Sequence, residues 1–197
     1  MKRVLMTLFL VLVLLAGCAP KHIFTGTVFD NLQPAGELRG TSHTGAPFDL
    51  TDLHGKYVLI FFGYTFCPDV CPTTLVEVAG VLRMFAEDPK LADSLAAIFV
   101  TIDPERDTVE RLAQYVPAFH PDIIGVVVEP SMLDAVKTSF GVYAEKSEAT
   151  PSSPENYLVD HTAGIYALDP KGNLIALFSY YTPPDVLAAD LKALMKR

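Results

Sequence analysis

From Tyr57 onward the chain alternates apolar runs with amphipathic stretches, and the pattern predicts a strand-helix succession. "YVLIFFGYT" is a continuous apolar and aromatic run, the kind carried by strands buried on both faces. "TLVEVAGVLRMFAED" places Leu75, Val78, Ala79, Leu82 and Phe85 at helical spacing. "LAAIFVTID" reads as a second buried strand, "DTVERLAQYV" as a helix opened by an Asp or Thr cap, and "IIGVVVE" as a third strand. "SMLDAVKTSF" predicts a helix capped by Ser131. In "AGIYALDPKGNLIALFSYY" two strand-like runs flank the turn signal "DPKGN", which predicts a hairpin. "PPDVLAADLKALMKR" closes as a helix that starts on proline and ends in cations. Such alternation implies an α/β sandwich around a sheet with parallel pairs.

The first 40 residues differ. Lys2 and Arg3 lead into the apolar run Val4 to Ala16, shorter than the ~20 residues of a spanning helix, which reads as an export signal over residues 1–17. The run ends in "LAGC", and small residues directly before Cys18 resemble the bacterial lipobox, whose cysteine is lipidated; a plain signal or an uncleaved anchor is the alternative. Residues 18–40 have mixed polarity, two prolines and no clean period, as expected of a lipidated N-terminus and tether. Residues 41–197 are then expected to form one domain on the extracytoplasmic, periplasmic side of the cell envelope. A chain of 197 residues that is 50% hydrophobic can bury a core of that size.

Charge and cysteine count narrow the function. The formal charge is −8, and loss of Lys2 and Arg3 with the signal makes it more negative still, which argues against a nucleic-acid partner. Of three cysteines, Cys18 is assigned to lipid, leaving Cys67 and Cys71 in "FGYTFCPDVCPTTL". One pair is too few for a disulfide scaffold, so an active pair is expected. It sits at a strand-to-helix junction. Pro72 suits a first helical turn, which would put Cys71 at or near the N-cap, where backbone amides stabilise a thiolate. One helical turn separates positions i and i+4 by roughly 6 Å, inside the disulfide range. The pair can close as a disulfide or hold a soft metal ion such as Cu(I), and spacing alone does not choose. Among the histidines, His22, His43, His54 and His120 read as surface residues of polar segments. His161, in "YLVDHTAGIYAL" with Asp160 beside it, precedes a strand at the kind of edge where functional loops gather; a loop hydrogen bond is its alternative use.

"FGYTFCPDVCP", "VTIDPERDT" and "YLVDHTAGIYALDPKGNL", in this order, closely resemble the Sco/SenC family of membrane-anchored copper proteins, from about Gly36 to the C-terminus. The resemblance implies a thioredoxin-like fold, with a central mixed sheet flanked by helices, and Cys67, Cys71 and His161 as copper ligands. It implies a monomer that assembles the binuclear copper centre of cytochrome c oxidase, by delivering copper to subunit II or another copper protein, by reducing the acceptor's cysteines, or both. Two thiolates and one imidazole suit Cu(I), and Cu(II) where geometry allows, and a three-ligand shell leaves room for a partner's ligand. Asp160 is expected to orient His161, to tune the charge of the site or to cap a helix or turn, and Asp69 to modulate affinity or face solvent. "DPERDT" reads first as a turn and helix cap. The competing function is a thiol:disulfide oxidoreductase without metal, although its usual motif is CxxC. A peroxiredoxin-like peroxidase fits less well, because Thr65 stands two residues before Cys67 rather than three.

Overall fold

The computed structural model describes residues 22–147 and 157–197; the signal reading of residues 1–17 and the lipidation site Cys18 lie outside the described residues. Among the described residues no helix is long and apolar enough to cross a membrane.

The apolar run at Tyr57–Gly63 is strand β4 of an eight-stranded sheet. Before it come β1 (Thr27–Pro34), β2 (Arg39–Ser42) and β3 (Pro47–Asp49). After it come helix α1 (Val70–Ala86), β5 (Leu95–Thr101), α2 (Val109–Tyr115), β6 (Ile123–Val128) and α3 (Pro130–Phe140). A small ladder of β7 (Ala144–Lys146) and β8 (Val159–His161) precedes the hairpin β9 (Gly164–Leu168) and β10 (Asn173–Ser179), and α4 (Pro184–Leu194) closes the chain. Sheet order is β1-β10-β9-β4-β5-β6-β2-β3. β4, β5 and β6 run parallel, while the hairpin and the outer strands pair antiparallel, so the sheet is mixed.

Burial on both faces explains the unbroken apolar runs. Along β4 the side chains alternate. Phe61 packs with Phe99 of β5 (ring centres 6.1 Å apart) on the face covered by α1 and α2, with α4 packed beside α1. Phe62 faces the other side, meeting Phe140 of α3 (5.2 Å) and Tyr166 of β9 (5.5 Å, edge-on). The "DPKGN" turn forms as expected: the Asp169 carboxylate accepts from the amides of Lys171 and Asn173, and Gly172 takes a φ of +81° that favours glycine.

Two expectations are corrected. Within the segment read as a tether, Thr27–Pro34 pairs with β10 and Arg39–Ser42 pairs with β6. β1 is an edge strand with a register shift between Val28 and Gln33 and mostly exposed side chains, so no clean alternation marks it. The cap of α3 is Glu129 rather than Ser131, because Pro130 already occupies the first helical turn.

Candidate metal centre

The cysteines sit where β4 hands over to α1. α1 begins at Val70, so Asp69 holds the N-cap position without a side-chain cap bond and Cys71 lies inside the first turn, two places after the cap. The Cys71 amide, one of the helix's unpaired first N–H groups, points at Cys67 Sγ (3.4 Å). Cys71 is fully buried and Cys67 half-buried, so the pair has an inner and an outer sulfur. The two thiols are strongly coupled. A hydrogen bond from the Cys71 thiol, with further donation from the Asp69 and Cys71 amides, holds Cys67 far below the usual thiol range. The same bond to Cys67, together with burial, pushes the Cys71 thiol far upward. The coupling thus favours a thiolate on the outer Cys67 and a proton on the inner Cys71.

His161 arrives from β8, ninety residues downstream. Its Nδ1 faces the Thr162 carbonyl oxygen at 3.0 Å, which fixes Nδ1–H as donor and leaves the Nε2 lone pair pointing into the site, 3.5 Å from Cys71 Sγ. The Tyr64 hydroxyl accepts from the Val159 amide (3.2 Å) and so ties β8 to the end of β4. The Tyr64 ring meets the imidazole edge-on at 5.9 Å, and Phe61 supports it from below at 6.1 Å.

The loop 103–107 holds both ligand-bearing segments. The buried Asp107 carboxylate accepts from the Thr65 amide (2.9 Å), the Thr65 hydroxyl (2.5 Å) and the Thr101 hydroxyl (2.7 Å). Burial raises its pKa against these bonds. Asp103 accepts from the Tyr157 hydroxyl (2.7 Å) and from Arg106 Nε (2.5 Å), while Arg106 also donates to the Tyr157 carbonyl (2.8 Å) and lies 3.5 Å from that ring's centre. Asp107 thus fixes the cysteine loop, and Asp103 with Arg106 fixes the chain entering β8. "DPERDT" is a turn leading to a Thr108 helix cap, as read from sequence, but its buried acids do more. Gly63 is a further contributor: a Cβ there would lie 2.8 Å from Cys71 Sγ, so only glycine lets the inner sulfur settle against β4.

The three expected ligands therefore converge. Cys67 Sγ, Cys71 Sγ and one His161 ring nitrogen lie within 4.8 Å of one another, and no other group of three potential metal-ligating side chains occurs among the described residues. A trigonal ion about 2.3 Å from sulfur and about 2.0 Å from imidazole nitrogen holds its donors roughly 3.5–4 Å apart, so small side-chain shifts suffice to seat one. Asp69 and Asp160 line the mouth with Leu158 and Pro68. Asp160 does not orient His161: it is exposed at the mouth, and the Thr162 carbonyl takes that place at Nδ1. Three of the other histidines are engaged elsewhere and His54 is exposed: His22 meets Asp190, while His43 and His120 accept backbone amides of Gly125 and Asp122.

Residues 30–196, the cysteine loop and His161 included, match the SCO1/SenC family. The chain belongs to that family. It is 34% identical over 161 residues to "Protein SCO2 homolog, mitochondrial" of Danio rerio, which covers 82% of this chain and 57% of that protein. The chain spans about half the length of the mitochondrial relatives it matches. Among solved structures, Bradyrhizobium japonicum ScoI with copper bound is 41% identical with a TM-score of 0.72, covering 81% of this chain and 98% of that one. Apo Sco1 of Thermus thermophilus is 37% identical with a TM-score of 0.79, covering 89% and 99%. The fold is the thioredoxin-like fold of these family members, with the mixed sheet and flanking helices described above.

Proposed function

We propose that this protein is a copper chaperone anchored to the bacterial envelope through lipid on Cys18. In this reading Cys67, Cys71 and His161 carry copper to the binuclear centre of cytochrome c oxidase, on subunit II. The observation that carries the proposal is the convergence of two sulfurs and one correctly presented imidazole nitrogen within 4.8 Å. The donor chemistry agrees: thiolates select Cu(I), and an imidazole adds a ligand that also serves Cu(II). The half-buried Cys67 gives an acceptor's ligand a point of entry, whereas a closed structural site has four protein ligands. Loading with Cu(I) displaces the proton that Cys71 carries, so binding is coupled to proton release. The copper-bound state of Bradyrhizobium japonicum ScoI, 41% identical, supports copper as the cargo.

A second reading, reduction of an acceptor's cysteines, is favoured by one observation, the polarisation of the pair: an outer low-pKa thiolate and an inner buried thiol suit attack and resolution. Oxidation of the metal-free protein should form the Cys67–Cys71 disulfide and abolish Cu(I) uptake until a reductant is added. Copper-loaded protein should resist the same oxidant. Free thiols followed over time with and without one equivalent of Cu(I) test this, and equal rates would overturn the copper reading while leaving the thiol reading in place.

A further inference from the structure

Asp190 on α4 is buried, and its carboxylate is taken up by the first described residues. It accepts from the Thr25 amide (2.8 Å) and hydroxyl (2.7 Å) and faces His22 Nε2 at 2.6 Å. His22 and Phe24 meet edge-on at 4.8 Å, and the Arg197 guanidinium lies 5.8 Å from the Phe24 ring centre. His22–Thr25 is therefore fastened to the C-terminal half of α4. That half points away from the cysteines. α4 starts with Pro184 against Gly80 in the middle of α1 and ends with Lys192 over Phe85 in the last turn of α1. Around the clasp stand Ile23, 88% exposed, and the cations Lys192, Lys196 and Arg197, with Asp30 paired to Arg197 at 3.1 Å.

We infer that this end of the domain rests on the surface of a lipid bilayer, held there by the clasp on Asp190. The inference depends on the membrane anchoring proposed above. Three residues separate Cys18 from His22, so a fully extended chain spans at most about 14 Å between the lipid and the clasp. A tether of twenty residues would let the domain tumble; this one brings the Ile23 end to the headgroups. An exposed apolar side chain and the cations Lys192 and Lys196, beside Arg197 already paired to Asp30, on a chain whose net charge is −8, suit an anionic lipid interface. The orientation has a functional consequence. The metal centre, at the opposite end of α1 from Phe85, then faces away from the bilayer, and an acceptor must present its copper ligands on that side.

The chain contains no tryptophan, so single substitutions make clean reporters. Leu32→Trp lies beside Leu194 and Arg197 at the docked end, and Val76→Trp lies on the half of α1 nearer the cysteines. Full-length chain isolated from membranes is reconstituted into phosphatidylglycerol-containing vesicles with brominated acyl chains, and tryptophan quenching is measured. Leu32→Trp should lose most of its emission and Val76→Trp should keep it. Asp190→Ala should restore the Leu32→Trp emission, and His22→Ala, the milder change, should restore part of it. Equal quenching at both positions, or Leu32→Trp quenching that survives both clasp variants, overturns the inference. A chain that does not sediment with the vesicles at all overturns the anchoring reading and this inference together, and sedimentation separates the two cases.

Discussion

Gly63→Ala tests whether the inner sulfur is placed by the shape of the β4 terminus. The added methyl would stand 2.8 Å from Cys71 Sγ, 2.9 Å from Phe99 Cε2 and 3.0 Å from Phe61 Cε1. All three neighbours are essentially fully buried, so none can swing into solvent. Elsewhere a glycine-to-alanine change stabilises by about 0.4–1 kcal/mol through the unfolded chain, and a buried CH₂ adds about 0.8 kcal/mol. Overpacking opposes them at typically 1–3 kcal/mol, sometimes more. With three contacts at or below 3.0 Å the cost sits at or above the top of that range, leaving a net loss of about 1–2 kcal/mol. The least constrained relief is displacement of Cys71 Sγ, which sits 3.5 Å from His161 Nε2, so Cu(I) affinity should fall about tenfold with it. Urea denaturation of the reduced, metal-free protein and a competitive Cu(I) titration measure the two effects. Cys71→Ala in the same background should return part of the lost stability, as a double-mutant cycle would show. A Gly63→Ala protein as stable as wild type, with unchanged copper affinity, would refute the reasoning.

Two further outcomes are expected. Asp107→Ala leaves the Thr65 amide and two threonine hydroxyls without their acceptor and should cost about 2–5 kcal/mol in thermal or urea unfolding; a loss under about 0.5 kcal/mol would show that the loop holds itself. Glu77, on α1, has its carboxyl raised to about 7 by burial, from an ordinary 4.5, with Oε2 making no hydrogen bond. The folded state then binds more protons than the unfolded one between those values, so stability should fall as pH rises from about 4.5 through about 7. Glu77→Gln should flatten that slope in urea midpoints measured across pH, and an unchanged slope would contradict the assignment.

The central strands and helices are legible in the sequence because burial on both faces leaves continuous apolar runs, and because helix starts carry prolines or a threonine cap. β1 is not legible: an exposed edge strand with a bulge carries neither an apolar run nor a steady alternation, so Thr27–Pro34 reads as linker. The ligands could be named because three motifs occur together, yet the parts that hold them in place carry no local signal. Asp107 looks like an ordinary cap in "DPERDT", and its role depends on Thr65, forty-two residues earlier. Gly63 reads as the end of an apolar run until the sulfur beside it is seen. Asp160 is adjacent to His161 in sequence but lies exposed at the mouth of the site. The imidazole takes its Nδ1 partner from the backbone.

The most direct test of the central claim is anaerobic titration of the reduced protein with Cu(I), beside His161→Ala. The account predicts one tightly bound Cu(I) per wild-type chain. It predicts clearly weaker binding by His161→Ala, whose fold and Cys67–Cys71 disulfide formation stay intact, since the imidazole serves the metal and not the sulfur chemistry. Absence of a tight site in the wild type, or His161→Ala binding Cu(I) as tightly as wild type, would contradict it.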